Sequence, residues 1–274
     1  MRAGADGDDK WPRAILFDLD DTLFDHRHAS DLALYAMHAA HASNLAFEAF
    51  ARKHAEVLEI FHARFLAGEY TLDRARVARM QALFSAFDRK IDIATAEEVA
   101  SLYREQHQIN RKLVAGAKEL LSELRVHCRL GIVSNNSTAE QIEKLRALDI
   151  AHYFDTVVIS EDVGVAKPDP KIFSIALARV GVGAQDAVFI GDNWLNDIVG
   201  AKNAGMAAVW LDRAGETLAL AATVANKWPD DPTNAGVSPS RVVTITSLSP
   251  TASVIAAIKT VFNNLRSCTL ESTA

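Results

Sequence analysis

Between residues 113 and 211, short uncharged apolar runs alternate with helical stretches, and this rhythm restricts the fold more than any other property of the chain. The runs are 130–133, 157–159, 188–190 and Ala207–Leu211, and an earlier one, Ala14–Phe17, stands near the start. Helical patterns at 117–125, 139–148, 170–179 and 197–204 separate them, the third opening on proline in its favoured first turn. Strands that are apolar on both faces must be covered on both faces. The pattern therefore predicts an α/β fold, a doubly wound parallel sheet with helices on each side. Val242–Ile245 is expected to add an edge strand and 253–265 a final helix. Gly181-Val182-Gly183 is no dinucleotide fingerprint, because it follows a helix and opens none.

Ligands of such sheets bind beyond the carboxyl ends of the strands. The polar residues of this chain stand at those ends. Ala14–Phe17 runs directly into Asp18-Leu19-Asp20-Asp21-Thr22. Residues i and i+2 of a strand point the same way, about 6.5–7 Å apart, so Asp18 and Asp20 aim two carboxylates at one crevice. Such a pair costs desolvation and repulsion unless a cation neutralises it or chemistry uses it, although an Asp-rich turn capping the next segment is the plainer reading. The other strand patterns lead into Val133-Ser134-Asn135-Asn136-Ser137, Lys167-Pro168-Asp169-Pro170 and Gly191-Asp192-Asn193-Trp194-Leu195-Asn196-Asp197. By strand position alone these segments are expected to converge.

Composition excludes several classes. The net charge of −6 with no basic block argues against a surface that tracks nucleic acid. No segment approaches the roughly 18 uncharged apolar residues of a membrane span. Residues 1–12 read as a flexible tail without the apolar centre of a signal peptide. Cys128 and Cys268 are distant in sequence and read as inert thiols of a cytoplasmic protein. The stretch 226–240, with its Pro, Gly and Asp content, reads as a surface loop.

Between the first two strands the pattern is helical. Phe47, Phe50, His54, Val57, Leu58, Phe61 and Phe65 recur at helical spacing, as do Val77, Met80, Phe84 and Phe87. Thr95-Ala96-Glu97-Glu98 has capping-box spacing and predicts a helix start that carries Val99, Leu102 and Tyr103 inward. The aromatic stripes read as helix packing. Residues 25–111 are thus expected to form a helical domain inserted into a core of 13–24 and 112–274. The histidines, several of them in this insertion, form no ligand pattern with nearby acids, and only His26, Arg27 and His28, next to the first motif, are placed to face substrate.

In order and spacing, the four strand-end motifs resemble the signature motifs of the haloacid dehalogenase (HAD) superfamily of phosphohydrolases, over about residues 15–211. An insertion between the first and second motifs is similar to its type I branch, a Rossmann-like core with a helical-bundle cap. The resemblance implies that Asp18 is the nucleophile forming an aspartyl-phosphate, and that Asp20 is the general acid and base, with its backbone carbonyl on a metal. It implies Asp192 as a direct Mg²⁺ ligand and Asp197 as an outer carboxylate; oxygen-only ligands suit Mg²⁺. Asp197 also fits an N-cap of the following helix. Ser134 matches the phosphate seat, Lys167 the cation offsetting Asp18 and the phosphate, and Thr22 a residue orienting Asp20. Asn135 and Asn193 are expected to line the site, and Asp21 to be solvated or structural. The implied activity is Mg²⁺-dependent hydrolysis of a small phosphorylated metabolite by a monomer or homodimer. A sugar-phosphate mutase shares these motifs, a haloacid dehalogenase lacks the second aspartate present here as Asp20, and a silent binding protein on the same fold would be marked by a lost motif residue.

Overall fold

The computed structural model describes residues 10–213, 215 and 241–271, with side chains of the last helix as far as Arg266. Most of the expected tail, the stretch 226–240 and the side chain of Cys268 lie outside the described residues. The chain divides into two compact units, one of residues up to Leu23 and from Leu113 onward, the other Phe24–Lys112.

The first unit is built on a six-stranded sheet in which all neighbours run parallel, in the order β3-β2-β1-β4-β5-β6. The strands are β1 (Ala14–Phe17), β2 (Arg129–Ser134), β3 (Thr156–Ile159), β4 (Ala187–Gly191), β5 (Ala207–Leu211) and β6 (Val242–Ile245). Every residue of β1, β4 and β5 is buried, as uncharged runs covered on both faces require. The chain winds outward from β1 to β3, then returns to lay β4 against the other side of β1. Phe17 lies between Ile132 of β2 and Ile190 of β4. That reversal is the switch point at which doubly wound sheets open a crevice. The edge strand expected at Val242–Ile245 is β6, beside β5.

Helices cover the sheet where the sequence repeats at helical spacing. One face buries Ile172, Phe173, Ala176, Leu177 and Val180, with Phe173 edge-on to Phe189 at 5.1 Å between ring centres. These residues lie on the helix Pro170–Val180, which Asp169 caps by accepting from Lys171 N. The last helix, Thr251–Glu271, buries Val254, Ile258, Val261, Phe262 and Leu265. The segment after β4 departs from expectation. A π-helical turn, Trp194–Val199, precedes a short helix, Gly200–Asn203, and its N-cap is Asn193, whose Oδ1 accepts from Asn196 N. Asp197 is therefore inside the turn rather than capping a helix.

The second unit is a bundle of four helices, α1 (His26–His41), α2 (Phe47–Leu66), α3 (Leu72–Ser85) and α4 (Ile93–Ile109). Phe50, His54, Val57, Phe61, Phe65, Met80 and Phe84 are buried in it, whereas Phe47 is exposed and Leu58, Val77 and Phe87 are only partly covered. The start of α4 is Ile93, not Thr95. Asp92 Oδ1 accepts from Thr95 N at 2.8 Å, so the aspartate takes the N-cap role and Thr95 becomes the residue it caps. His26 packs against Phe24 and His107, all within this unit. Cys128, in the first unit, is a free thiol that burial pushes up to about 12, which leaves it inert.

Candidate active site

The ladder between β1 and β4 continues one residue past the strand, Asp18 N donating to Ile190 O at 2.9 Å. This fixes the Asp18 backbone at the switch point, and Asp192 leaves the neighbouring strand one residue after Gly191. Trp210, at the end of β5, donates from Nε1 to Asp192 O at 2.8 Å and anchors that loop from the far side.

Lys167 Nζ lies at the centre of the cluster, donating to Asp18 Oδ1 and to Asp197 Oδ1, each at 2.6 Å. All three side chains are buried. The backbone amide of Asn193 donates to the other oxygen of Asp197, Oδ2, at 2.9 Å, so both oxygens of that carboxylate are held. Gly191 leaves room for it, since a Cβ there would stand 2.4 Å from Asp197 Oδ2. The Thr22 hydroxyl is 3.3 Å from both Asp18 Oδ2 and Asp192 Oδ1. The turn after β1 thus points this hydroxyl toward Asp18 and Asp192 on the β4 side, where the expectation had paired it with Asp20.

Carboxyl oxygens of Asp18, Asp192 and Asp197 lie within 4.8 Å of one another. Two of the three, Asp18 and Asp197, share the Lys167 ammonium, and Asp192 stands beside them. Burial pushes Asp18 up to about 7, helped by the charges of Asp197 and Asp20 and opposed by Lys167. Burial also pushes Asp192 up to about 8, with Asp18 and Asp197 adding to it. Burial alone would lower Lys167, but Asp18 and Asp197 outweigh it and hold the ammonium above the ordinary lysine range. The donor set is all oxygen, carries excess negative charge and is closely spaced, and in these respects it fits a hard divalent cation.

Asn135 is not a free wall of the crevice. Its side chain clamps the backbone of Lys167. Asp21 is structural, at φ 60° with its carbonyl accepting from Arg213. Ser134, at the end of β2, is buried, and its hydroxyl accepts from Gln141 Nε2 at 2.6 Å. Asp20 turns its carboxylate toward the same helix, α5 (Thr138–Ala147), where Lys144 Nζ meets Oδ1 at 2.6 Å and Gln141 Nε2 meets Oδ2 at 2.9 Å. Gln141, Lys144 and Trp210 were not among the residues expected from sequence. The available signal was the i, i+3 spacing of Gln141 and Lys144 directly after a strand-end motif.

A parallel doubly wound sheet whose switch point holds a lysine among aspartates defines an α/β protein with an acidic, lysine-bearing site beyond the carboxyl ends of its strands. The chain matches the haloacid dehalogenase-like hydrolase family over residues 12–205, and it belongs to that family. It is 34% identical to a glyceraldehyde 3-phosphate phosphatase of Methanopyrus kandleri over 207 residues, 73% of this chain and 84% of the relative. It is 46% identical to the Pyrococcus abyssi protein of the same name over 98 residues, and there the match spans only 41% of the relative's length. Among solved structures, the HAD-hydrolase YfnB of Bacillus subtilis, bound to magnesium and revealing interdomain movement, superposes with a TM-score of 0.68 at 25% identity, covering 90% of this chain and 100% of that one. Among the described residues, no helix is long and apolar enough to cross a membrane.

Proposed function

We propose that the protein is a Mg²⁺-dependent phosphomonoester hydrolase that acts on a small phosphorylated metabolite through an aspartyl-phosphate on Asp18. The observation that carries this reading is the Lys167 ammonium bonded to both Asp18 and Asp197 at the switch point. It holds Asp18 in a fixed orientation and supplies positive charge where a phosphoryl group would arrive. Relatives named as phosphatases support the same reaction class.

In this mechanism an Asp18 oxygen attacks phosphorus, the ester P–O bond breaks, and the leaving oxygen takes a proton from the Asp20 carboxyl. Asp20 then takes a proton from the water that attacks the aspartyl-phosphate, and the Asp18–phosphorus link breaks to give inorganic phosphate. Ser134 and the amides after β2 seat the phosphoryl oxygens. The residues that would hold Mg²⁺ are Asp18, Asp192 and the backbone carbonyl of Asp20, with Asp197 outside them. When bound, Mg²⁺ supplies charge compensation for the transferring phosphoryl group. Residues 24–112 act as a cap that selects the ester. The interdomain movement seen in the Bacillus subtilis relative supports a mobile cap.

The test is Mg²⁺-dependent phosphate release across a panel of metabolite monoesters by wild type and Asp18→Asn. Release by the wild type, and a phosphorylated aspartate found at Asp18 by mass spectrometry after rapid quenching, are expected. Turnover by the purified Asn variant at the wild-type rate would reject the assignment.

A further inference from the structure

Helix α5 carries a lysine that a surface helix would leave in water. Lys144 is 2% exposed and Gln141, one turn earlier, 0% exposed, while Glu143 and Arg146 of the same helix are exposed. Burying an ammonium is costly unless it is paired and hydrogen-bonded. Here the partner is Asp20: Lys144 Nζ meets Oδ1 at 2.6 Å and Gln141 Nε2 meets Oδ2 at 2.9 Å. Gln141 also donates to Ser134 Oγ at 2.6 Å, and Asn136 Nδ2 is 3.5 Å from Asp20 Oδ2. Residues i and i+3 of a helix share a face, so the two side chains grip the carboxylate as a fork with one direction of approach.

We propose that Lys144 and Gln141 are positioning residues that set the orientation of the Asp20 carboxylate for proton transfer, and that through Gln141 they tie it to the phosphate-seating Ser134. This deepens the hydrolase reading and rests on it. Neither side chain needs to touch substrate. Together they restrict Asp20 to the rotamer from which it hands a proton to the ester oxygen and later takes one from water, and the Gln141 bridge gives Asp20 and Ser134 a common support. A carboxylate left to swing would lose part of the roughly 10²–10⁴-fold that a placed acid contributes.

The test uses full-length protein with Mg²⁺ and two substrates, 4-nitrophenyl phosphate and glycerol 2-phosphate. The nitrophenolate leaves without a proton and the alkoxide does not, while kcat/KM reports the step that breaks the ester bond. In Lys144→Met, kcat/KM for the alkyl ester is expected to fall by about 10–100-fold and for the aryl ester by less than about 3-fold. Competitive inhibition by inorganic phosphate is expected to be unchanged, Lys144→Arg to recover part of the loss, and Gln141→Leu to show the same substrate asymmetry more weakly. An equal fall for both esters, or no fall, overturns the proposal. Crystal structures of wild type and Lys144→Met give a reading that needs no turnover: the Asp20 carboxylate is expected to leave its observed direction in the variant, and an unmoved carboxylate overturns the proposal. If the wild type releases no phosphate from any monoester while Asp20 still shifts in Lys144→Met, the positioning role stands and the hydrolase reading falls.

Discussion

Asn135 holds the backbone of Lys167 from both sides: Lys167 N donates to Asn135 Oδ1 at 2.7 Å and Asn135 Nδ2 donates to Lys167 O at 2.8 Å. The residue after β2 thus fixes the loop after β3, and the ammonium that bridges Asp18 and Asp197 depends on an amide that never touches either acid. A side chain that satisfies a backbone donor and acceptor together replaces a missing stretch of ladder.

Asn135→Ala should therefore act on Lys167. Misplacement by about 1 Å in a catalytic array costs up to roughly 100-fold. We expect kcat/KM to fall within that limit, with about 1–2 kcal/mol of stability lost from the two bonds. In a Lys167→Met background the same substitution should add little to the loss of activity. Steady-state kinetics on the four proteins check this, and additive losses would show that Asn135 works independently of Lys167.

Gly191→Ala tests the packing behind the acids. The added Cβ would stand 2.4 Å from Asp197 Oδ2 and 2.5 Å from its Cβ, so the aspartate or the strand end must shift. Overpacking of this kind costs about 1–3 kcal/mol. The displaced carboxylate would also loosen Lys167. A urea midpoint lowered to match, with activity lost more than proportionately, is the expected outcome. A variant with wild-type stability and turnover would mean that the close approach is not maintained in solution.

The sheet and the convergence of the motif segments were legible because both follow from alternation: uncharged runs make a parallel sheet, and polar segments after strand ends meet. Within those segments, Lys167 and Asp197 were marked as site residues by the family resemblance rather than by position. Local hydrogen-bond choices were less legible. Thr95-x-x-Glu98 and Asp92-x-x-Thr95 are both sound cap spacings, and only the backbone shows that Asp92 accepts the bond. Thr22 carries one hydroxyl with several acids in reach, and the turn after β1 decides in favour of Asp18 and Asp192. Lys144 was hidden for a different reason. A lysine in an amphipathic helix reads as a solvated charge until its partner, 124 residues away, is known.

Metal binding should register as stability. Asp18, Asp192 and Asp197 keep three buried or half-buried carboxyls close together with one lysine, so a divalent cation would relieve repulsion present in the folded state alone. At about 100 times its Kd, a ligand of the native state contributes about 2.7 kcal/mol. We expect Mg²⁺ to raise the thermal midpoint of the wild type and to do so much less in Asp192→Ala. Differential scanning fluorimetry with Mg²⁺ and with chelator measures both. A midpoint indifferent to Mg²⁺ in the wild type would remove the metal from the site.

His54 predicts how the helical unit responds to acid. It lies in α2 at 4% exposure, its ring 5.1 Å from that of Tyr103, and the Arg79 guanidinium stands 5.2 Å over the same tyrosine ring. Burial, with the Arg79 charge adding to it, lowers the imidazole from 6.5 to about 3. The unfolded chain takes up a proton below 6.5 and the folded one does not until about 3, so the unfolded state binds more protons across that window. Stability is therefore complete above the unfolded value and declines as pH falls through the window, by about 1.4 kcal/mol per unit. Between pH 7.5 and 5.5 the wild type should lose about 1.4 kcal/mol that His54→Leu retains. Leucine keeps the site apolar, so the two proteins should be close in stability at pH 7.5. Urea unfolding followed by circular dichroism at both pH values reads the difference, and parallel acid losses in the two proteins would show that His54 is protonated inside the fold.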